Sequence, residues 1–460
     1  MDIRLTPAQT RLVDFDPEGP LLVRGQAGSG KTTVLLERAK GFLAAYPRAT
    51  VLVLAFNEAL AARFRRHLGM AEGRLEVRTL HDWARTLARH EGVIFGKGFW
   101  VDSATRERFL EEILKRPPAP LEGTRMAAWT PQAWSAEVEW ILGQDLDSAE
   151  AYRDAERKGR GRSGGPARED RDAVWAVYRR LREDLEARGR HDLHDIHGLI
   201  RKAEARSGRP LPQKASFDFV LVDEVQDLDL AWLRAVASVA RVGATFAGDF
   251  AQAIYRRHFT WKAAGIELPP ARSRALPATH RHPQAVVDLA GRILGPQEPG
   301  VEAPGPSLVP GEGEAVVLIR HARKREALRR ALERAAHLRA EGRDVVVAAP
   351  FRRLAEEAVA LLAEGGTPAG LLQRGDLADR DGRVLAVTTF HQMKGLECED
   401  IVLLGLEDGL FPGWYLKEVE PGDGPDVEAE LRRLLHMVVT RARRTVTLCA
   451  GGETSRFLVP

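Results

Sequence analysis

Short continuous apolar runs alternate along the chain with stretches that repeat apolar positions at helical spacing. Continuous apolar runs of this kind are typical of parallel strands that helices cover on both faces. The pattern therefore predicts an α/β fold with two parallel sheets, separated near the Gly/Pro-rich stretch 295–313 or slightly before it. The predicted strands are 21–23, 51–56, 219–222 and 245–247 in the first half, and 315–319, 345–348, 385–389, 401–404 and 445–448 in the second.

Residues 86–200 differ from the rest of the first half, because they carry helical patterns and no strand signal. The clearest pattern repeats apolar residues every three or four positions, at Val174, Val177, Leu181 and Leu185. Such spacing places apolar side chains on one helical face. We therefore expect a helical insertion between strands of the first sheet.

Composition limits the class of protein but does not identify it. A chain of 460 residues predicts two to four domains. Two cysteines, Cys398 and Cys449, exclude a disulfide framework and a four-cysteine zinc site. No apolar run approaches the ~20 residues that a membrane span needs, and the N-terminal residues lack the apolar region of a signal peptide. We expect a cytoplasmic protein with no membrane partner. The formal net charge of +3 is too small to indicate a nucleic-acid partner.

The strongest local signal is the segment GQAGSGKT, which begins at Gly25 and matches the Walker A pattern. It lies between a strand-like run and a helical run, as a phosphate-binding loop requires. Glycines let backbone N–H groups surround phosphate oxygens at a helix N-terminus. Lys31 can reach the β and γ phosphates, and the Thr32 hydroxyl can ligate Mg²⁺. The candidate nucleotide-binding residues of the loop are Gly25, Ala27, Gly28, Ser29, Gly30, Lys31, Thr32 and Thr33.

A pair of carboxylates follows the apolar run 219–222. Asp223 and Glu224 form a Walker B arrangement at the end of a predicted strand. The carboxyl ends of parallel strands meet at one edge of the sheet, beside the phosphate loop. Asp223 can hold Mg²⁺ with Thr32, and Glu224 can polarise the attacking water. The sequence thus predicts hydrolysis of ATP with Mg²⁺.

Further motifs follow in a fixed order along nearly the whole chain. They resemble those of superfamily 1 helicases of the UvrD/Rep/PcrA type. The matching segments are 5–9 (LTPAQ), 55–57 (AFN), 79–84 (TLHDWA), 223–227 (DEVQD), 248–256 (GDFAQAIYR), 279–281 (THR), 391–397 (HQMKGLE) and 430–442 (ELRRLLHMVVTRA).

The resemblance implies two RecA-like parallel-sheet domains in tandem, with a helical insertion in the first. Residues 1–85 and 200–275 would form the first domain, 1A, and residues 86–199 its helical subdomain, 1B. Residues 276–460 would form the second domain, 2A. The family inserts a large 2B subdomain before the motif HQMKGLE. Here only residues 373–383 lie between the flanking segments, which is enough for a turn but not for a domain.

The resemblance also implies roles around the nucleotide. Gln252 would sense the γ-phosphate. Arg281 and Arg441, on the second domain, would reach across a cleft between the domains as arginine fingers. The other nucleotide contacts that the motifs imply are Gln9, at the adenine edge, with Gly395 and Glu397.

A nucleic-acid track is implied across both domains. Non-specific grip on single strands combines backbone contacts with aromatic faces on which bases stack. The family has a tryptophan two positions after the tyrosine of GDFAQAIYR, but this chain has arginine there, so Phe259 and Trp261 both stay candidates. The candidate DNA-binding residues are Phe56, Asn57, Thr79, His81, Tyr255, Arg256, Phe259, Trp261 and His391.

The expected function is an ATP-dependent translocase and helicase on single-stranded DNA and single-strand/duplex junctions. The resemblance implies 3′→5′ polarity, and residue types alone leave RNA open as the track. A second reading, motivated by the short 373–383 segment and the short tail, is an ATP- and DNA-binding regulatory subunit of a partner nuclease in DNA repair or phage defence.

Overall fold

The computed structural model describes most of the chain, and its compact part divides into two units. The first unit comprises Met1–Val23, Lys31–Gly248 and Arg256–Arg274. The second comprises Arg24–Gly30, Asp249–Tyr255 and Ala275–Pro460, so it includes residues 25–30 of the phosphate loop. The described residues are 4–69, 73–90, 100–121, 123–156, 165–207, 216–253, 259–295, 305–309, 315–372, 384–417, 419 and 424–458.

The first sheet has six strands in the order β3-β2-β6-β7-β1-β8. β2 pairs in parallel with β3 and β6, and β6 pairs in parallel with β7. Every residue of β2 is buried, as the continuous apolar run predicts for a central strand. The four predicted strands of this half are confirmed. The strands are β1 (Gly19–Gly25), β2 (Val51–Ala55), β3 (Leu75–Thr79), β6 (Phe217–Val222), β7 (Ala240–Gly248) and β8 (Ser273–Leu276).

Helices flank the first sheet, and a further group of helices forms a layer of its own. Five helices accompany the strands: α1 (Pro7–Val13), α2 (Lys31–Ala45), α3 (Glu58–Leu68), α4 (Leu80–His90) and α10 (Leu230–Val239). The others lie between β3 and β6 in sequence: α5 (Ser103–Leu114), α6 (Pro131–Gly143), α7 (Ala149–Asp154), α8 (Arg171–Ala187) and α9 (Ile196–Ser207).

The inserted helices enclose an apolar core that includes Trp134, Tyr152 and the predicted apolar face of α8. Two short strands also occur here, β4 (Trp100–Val101) and β5 (His191–Asp192), which pair in parallel. The expectation that this region lacks strands is therefore wrong, because two-residue strands leave no alternating pattern in the sequence. The buried Arg106 guanidinium binds the carboxylate of Asp192 at 2.8 Å and fixes α5 against β5.

The second sheet is parallel throughout, in the order β11-β12-β10-β13-β14-β9. Alternate residues of β10 face two separate cores, Val346 and Ala348 on one side and Val345 and Val347 on the other. The elements are β9 (Val316–His321), β10 (Val345–Ala349), β11 (Ala369–Leu371), β12 (Leu385–Thr389), β13 (Cys398–Leu403) and β14 (Ala442–Gly451), with α11 (Gln284–Leu294), α12 (Lys324–Ala340), α13 (Arg352–Glu364), α14 (Gly413–Leu416) and α15 (Gly424–Val439).

Both parallel-sheet units confirm the predicted α/β class, and all five strands predicted in the second half are present. Covering a parallel sheet with helices on both faces explains why its strands read as continuous apolar runs. The predicted turn at 373–383 lies outside the described residues. Within the part of the chain that the structure describes, no helix has the length and apolar character to cross a membrane.

Candidate functional site

The phosphate loop joins the end of β1 to the start of α2. Gly28 and Gly30 have φ angles of 74° and 92°, a left-handed conformation that glycine adopts without steric cost. The side chains of Ser29 and Lys31 are buried. The fifteen-residue helix α2 begins at Lys31, so its N-terminal N–H groups and dipole lie where the loop ends. This local structure suits the binding of phosphate groups.

The segment around Thr279 packs directly on the phosphate loop within the second unit. The buried Thr279 hydroxyl donates a hydrogen bond to the carbonyl oxygen of Ala27 at 2.8 Å, and the His280 N–H donates to that of Gly28 at 2.9 Å. A Cβ atom added at Gly28 would lie 2.3 Å from the Cβ of Arg281. Gly28 is therefore required both by its φ and by this close approach. The contact places Arg281, a predicted arginine finger, beside the loop backbone.

Thr32 and Asp223 form the candidate Mg²⁺ site within the first unit. The Thr32 hydroxyl donates to the Asp223 carboxylate at 2.7 Å. Burial raises the pKa of Asp223 to about 6, and the charge of Glu224 adds to this rise, while Thr32 and Lys31 oppose it. Hydroxyl and carboxylate oxygens are ligands that Mg²⁺ accepts alongside substrate phosphates and water. Among the described residues no group of three or more His, Cys, Asp and Glu lies where it could hold a metal ion.

Glu224 adopts a backbone conformation that is unusual for its residue type. Its φ and ψ are 55° and 41°, in the left-handed region, which is unfavourable for a side chain with a Cβ atom. The Gln226 amide donates to the Glu224 carboxylate at 2.5 Å. The Glu224 N–H donates to Asp223 at 2.9 Å. Strain of this kind is concentrated at functional sites, so it supports a role for Glu224 in catalysis.

Gln252 and Arg441 are brought into direct contact in the second unit. The Arg441 guanidinium donates to the Gln252 side-chain oxygen, and the Gln252 amide donates to the Thr440 hydroxyl at 3.3 Å. All three side chains are buried. The motifs predicted separate roles for Gln252 and Arg441, and neither motif indicates that the two residues bond to each other. The pair joins the turn after β7 to the end of α15.

Arg281 is held by an ion pair with Glu397 at 2.7 Å. Glu397 also binds Arg443 at 2.6 Å. Burial works against the charge of Glu397, but Arg281 and Arg443 together hold the pKa of this carboxyl below its usual value. Gly395, two residues before Glu397, has a φ of 82°. Glu397 thus contacts a predicted finger directly.

Two buried histidines near the phosphate loop were not predicted as site residues. His282 and His436 line a cavity of about 10 Å³ together with Gln26, Ala27 and Thr440. Nδ1 of His282 bonds to the Ala442 carbonyl oxygen at 2.7 Å, and Nδ1 of His436 to that of Ala290 at 3.2 Å. Burial, followed by the charge of Arg281, lowers the pKa of His282 to about 3, and burial also lowers the pKa of His436. Both rings are therefore neutral near pH 7. His436 lies within the matched segment 430–442, and His282 directly follows the matched segment 279–281.

Candidate DNA contacts of the first unit lie near the carboxyl ends of β2 and β3. Phe56 is half-buried. The Asn57 side chain accepts from the Leu60 N–H at 2.9 Å and so caps α3. The Thr79 hydroxyl accepts from the Asp82 N–H at 3.2 Å. Both polar side chains therefore have local structural roles. The exposed His81 ring contacts Trp232 edge-on, at 6.0 Å between ring centroids.

The structure distinguishes the surroundings of Phe259 and Trp261 without assigning the contact to either. The Trp261 ring lies 5.1 Å from the buried Phe246 ring, and the Phe259 ring lies 5.6 Å from Trp261 at 87°. Trp261 is thus attached to the core of the first unit and Phe259 rests on Trp261. Tyr255 and Arg256 lie outside the described residues.

Two remaining candidates lie far apart in sequence. Gln9 belongs to a capping box: its N–H donates to the Thr6 hydroxyl at 3.3 Å and its side-chain oxygen accepts from the Thr6 N–H at 2.9 Å. A structural role in starting α1 therefore accompanies the predicted adenine contact.

His391 is exposed and begins the short turn after β12.

Comparison with known proteins gives two family matches. Residues 5–268 match the model of the UvrD/REP helicase N-terminal domain, and residues 371–450 match the UvrD-like helicase C-terminal domain. DNA helicase IV of Escherichia coli is 28% identical over 493 residues, covering 96% of this chain and 67% of that protein. The DNA helicase II proteins of Salmonella typhimurium and Escherichia coli are each 24% identical over 303 residues, covering 60% of this chain. The aligned region spans only 38% of either DNA helicase II.

Proposed function

Because the chain belongs to the UvrD/REP helicase family, we propose that it is an ATP-dependent DNA helicase that translocates on single-stranded DNA. The observation that carries the proposal is the contact between Thr32 and Asp223 at the end of the phosphate loop. This contact holds the Thr32 hydroxyl, at the start of α2, against the carboxylate at the end of β6, as a Mg²⁺ site requires. Relatives named DNA helicase support the same activity.

The described residues suit phosphoryl transfer to water, which depends on positioned charge more than on covalent chemistry. The loop N–H groups and Lys31 bind the β and γ phosphates. Bound Mg²⁺, held by Thr32 and Asp223, would neutralise phosphate oxygens. Glu224, oriented by Gln226, accepts a proton from the attacking water. The left-handed backbone at Glu224 ends the strand, and the Gln226 amide then holds the Glu224 carboxylate at 2.5 Å.

Arg441 supplies a buried cation whose present acceptor is the Gln252 side chain. A γ-phosphate oxygen would compete with Gln252 for the same guanidinium, and it would be the stronger acceptor because it is charged. Exchange of that partner would release the Gln252 amide and the turn after β7. Such an exchange is a route by which nucleotide state changes the conformation of this turn, which precedes the candidate DNA-binding residues Tyr255 and Arg256.

Translocation with 3′→5′ polarity on single-stranded DNA and at single-strand/duplex junctions completes the proposal. The purified chain is expected to displace a strand from duplex with a 3′ tail and not from duplex with a 5′ tail. RNA tails of the same sequence test the choice of nucleic acid. Displacement without any partner would argue against an obligate regulatory subunit of a nuclease.

The phosphate loop is tested by Lys31→Ala. We expect DNA-stimulated ATP hydrolysis to fall by at least about 10²-fold, since a preorganised charge at the transferring phosphate is lost. Lys40→Ala is the matched control, because Lys40 lies on the same helix and pairs with Glu37 at the exposed surface. Hydrolysis by Lys31→Ala at the rate of Lys40→Ala would contradict the assignment of the loop.

A further inference from the structure

Arg443 is an arginine near the phosphate loop that the sequence motifs do not include. It follows Ala442, the last residue of the matched segments, at the start of β14. Its guanidinium donates to one oxygen of the Glu397 carboxylate at 2.6 Å, while Arg281 binds the other oxygen at 2.7 Å. All of these residues belong to the second unit. One carboxylate therefore holds two arginines, of which only Arg281 is a predicted nucleotide contact.

The backbone of Arg281 is fixed against the phosphate loop. The Arg281 N–H donates to the Thr279 hydroxyl at 3.2 Å, and that hydroxyl donates to the Ala27 carbonyl oxygen at 2.8 Å. The Cβ of Arg281 lies 2.3 Å from the position that a Cβ atom at Gly28 would occupy. A change of side-chain rotamer can therefore carry the guanidinium from Glu397 to another acceptor while the backbone stays in place.

Glu397 competes with a bound phosphate for the Arg281 guanidinium. The side chains of Arg281 and Glu397 are 26% and 31% exposed, so water screens this ion pair only in part. A carboxylate in such a position is costly when it loses its cations, because it remains partly removed from water. The release of Arg281 is less costly if a second cation stays on the carboxylate.

The second sheet keeps Arg443 next to Glu397. β13 and β14 pair in parallel, with Cys398 opposite Ala442. Glu397 directly precedes Cys398, and Arg443 directly follows Ala442, so neighbouring strands carry the two charged side chains. An ion pair with an arginine that is 56% exposed adds little to the stability of the fold. Its effect on the release of Arg281 gives Arg443 a role in the reaction instead.

We propose that Arg443 is a positioning residue for ATP hydrolysis, which holds the Glu397 carboxylate when Arg281 leaves it for the γ-phosphate. The proposal rests on the proposed function and adds to it a residue outside the motifs. Without nucleotide, Glu397 keeps Arg281 ordered beside the loop. The charged oxygens of a bound γ-phosphate then take the Arg281 guanidinium. Without Arg443, each such transfer would remove both of these ion pairs from Glu397.

The test compares the affinities of the full chain for ADP and for a non-hydrolysable ATP analogue, measured with Mg²⁺ by displacement of a fluorescent nucleotide. ADP lacks the γ-phosphate, so the ratio of the two affinities reports the transfer of Arg281. We expect Arg443→Gln to lower the preference for the analogue by about 3- to 30-fold, because a hydrogen bond to a charged group is lost. The affinity for ADP should be unchanged. Arg443→Lys should retain most of the preference.

Arg444→Gln is the matched control. Arg444 is the next residue of β14 and is equally exposed, at 57%, but its carboxylate neighbour is Glu399, at 3.9 Å. This variant should prefer the analogue as strongly as the wild type does. Arg443→Gln and Arg444→Gln should both unfold near the temperature of the wild type, because each removes an exposed side chain.

Removal of the carboxylate separates the release of Arg281 from a general loss of affinity. In chains that carry Glu397→Gln, no charge at position 397 holds Arg281, so adding Arg443→Gln should change the preference less than about twofold. The value of kcat/KM for ATP compares the transition state with the free enzyme and should follow the same pattern. An equal loss of preference with and without Glu397→Gln, or no loss in either, would overturn the role of Arg443.

The two proposals fail in different ways. If the wild type binds both nucleotides and hydrolyses ATP, but Arg443→Gln keeps its preference for the analogue, only the role of Arg443 is lost. If the wild type neither binds the analogue nor hydrolyses ATP, the proposed function fails and the role of Arg443 fails with it.

Discussion

Individual site residues in this chain are held in states that disfavour folding. Asp223 is buried as a carboxylate next to Glu224, and Glu224 itself has a left-handed backbone. Buried charge and backbone strain each cost free energy that other parts of the fold must offset. The same features allow the Asp223 carboxylate to bind Mg²⁺ and the Glu224 carboxylate to accept a proton from water. The buried charge and the backbone strain that lower stability are therefore also the features that serve catalysis.

Asp223→Asn tests the cost of the buried carboxylate. Its pKa of about 6 lies above the value of 3.8 for an ordinary aspartate, so folding binds protons and the charged form costs stability above pH 6. Without Mg²⁺ and at pH 8, urea denaturation should show the variant more stable by on the order of 2–3 kcal/mol. This gain should shrink as pH falls from 6 towards 4. ATP hydrolysis should be lost.

The control for this experiment is Asp172→Asn, since Asp172 pairs with Arg153 at the exposed surface. It should show neither the gain in stability nor its decline at low pH. A variant at position 223 that unfolds more easily than the wild type at pH 8 would show that burial of this charge is not costly.

At the scale of elements, contacts join parts of the sequence that lie far apart. The turn after β7 meets the end of α15 through Gln252 and Arg441, and the phosphate loop meets the segment before α11 through Thr279. The local sequence explains each of these elements, for example through the glycines of the loop. It does not explain which elements contact each other, because these contacts join side chains separated by more than a hundred residues in the sequence.

A double-mutant cycle with Gln252→Ala and Arg441→Ala tests the link between these elements. Each single change leaves a buried partner unsatisfied and should cost about 1–3 kcal/mol of stability in urea denaturation. The double variant should cost less than the sum, with a coupling of about 0.5–3 kcal/mol. The loss of ATP hydrolysis in the double variant should likewise be smaller than the two single losses combined, when each is expressed as a free energy.

The exposed pair Glu326 and Arg330 on α12, at 2.9 Å, provides the matched cycle. A much smaller coupling is expected there, because solvent screens an exposed pair. Additive effects at Gln252 and Arg441 would mean that the two side chains act independently.

The sequence predicted nine of the strands because each contains a continuous apolar run, and this holds even for the edge strand β9, which is only partly buried. Three strands at sheet edges, β3, β8 and β11, were missed because an edge strand is short or only partly buried and lacks that run. For the site, residue types and order indicated the phosphate loop and the acidic pair. They did not indicate Thr279, His282 or His436 as neighbours of the loop, since a buried polar contact leaves no periodic pattern.

At the scale of the whole molecule, buried histidines of the second unit should make the folded chain sensitive to acid. The second unit buries two neutral histidines, His282 and His436, close to the phosphate loop. In the unfolded chain both imidazole rings bind protons below about pH 6.5. In the folded chain burial keeps both rings neutral to lower pH. Stability should therefore fall as the pH is lowered from 6.5, with the loss at His282 continuing towards its folded pKa of about 3.

His282→Gln tests this acid sensitivity. Between pH 7 and pH 5 the wild type should lose about 2 kcal/mol more stability than the variant, because protonation of His282 is confined to the unfolded chain. Urea denaturation at the two pH values measures the difference. His337→Gln, at an exposed histidine on α12, should behave like the wild type. Equal acid sensitivity of wild type and His282→Gln would show that His282 can charge without unfolding the chain.

The left-handed backbone at Glu224 has a consequence for attempts to improve this protein. Glycine at position 224 would adopt the same conformation without strain and would also remove a charge from beside Asp223. A library screened for heat resistance alone should therefore enrich inactive chains at positions 223 and 224. Directed evolution of a more heat-resistant enzyme would need to select for ATP hydrolysis in every round.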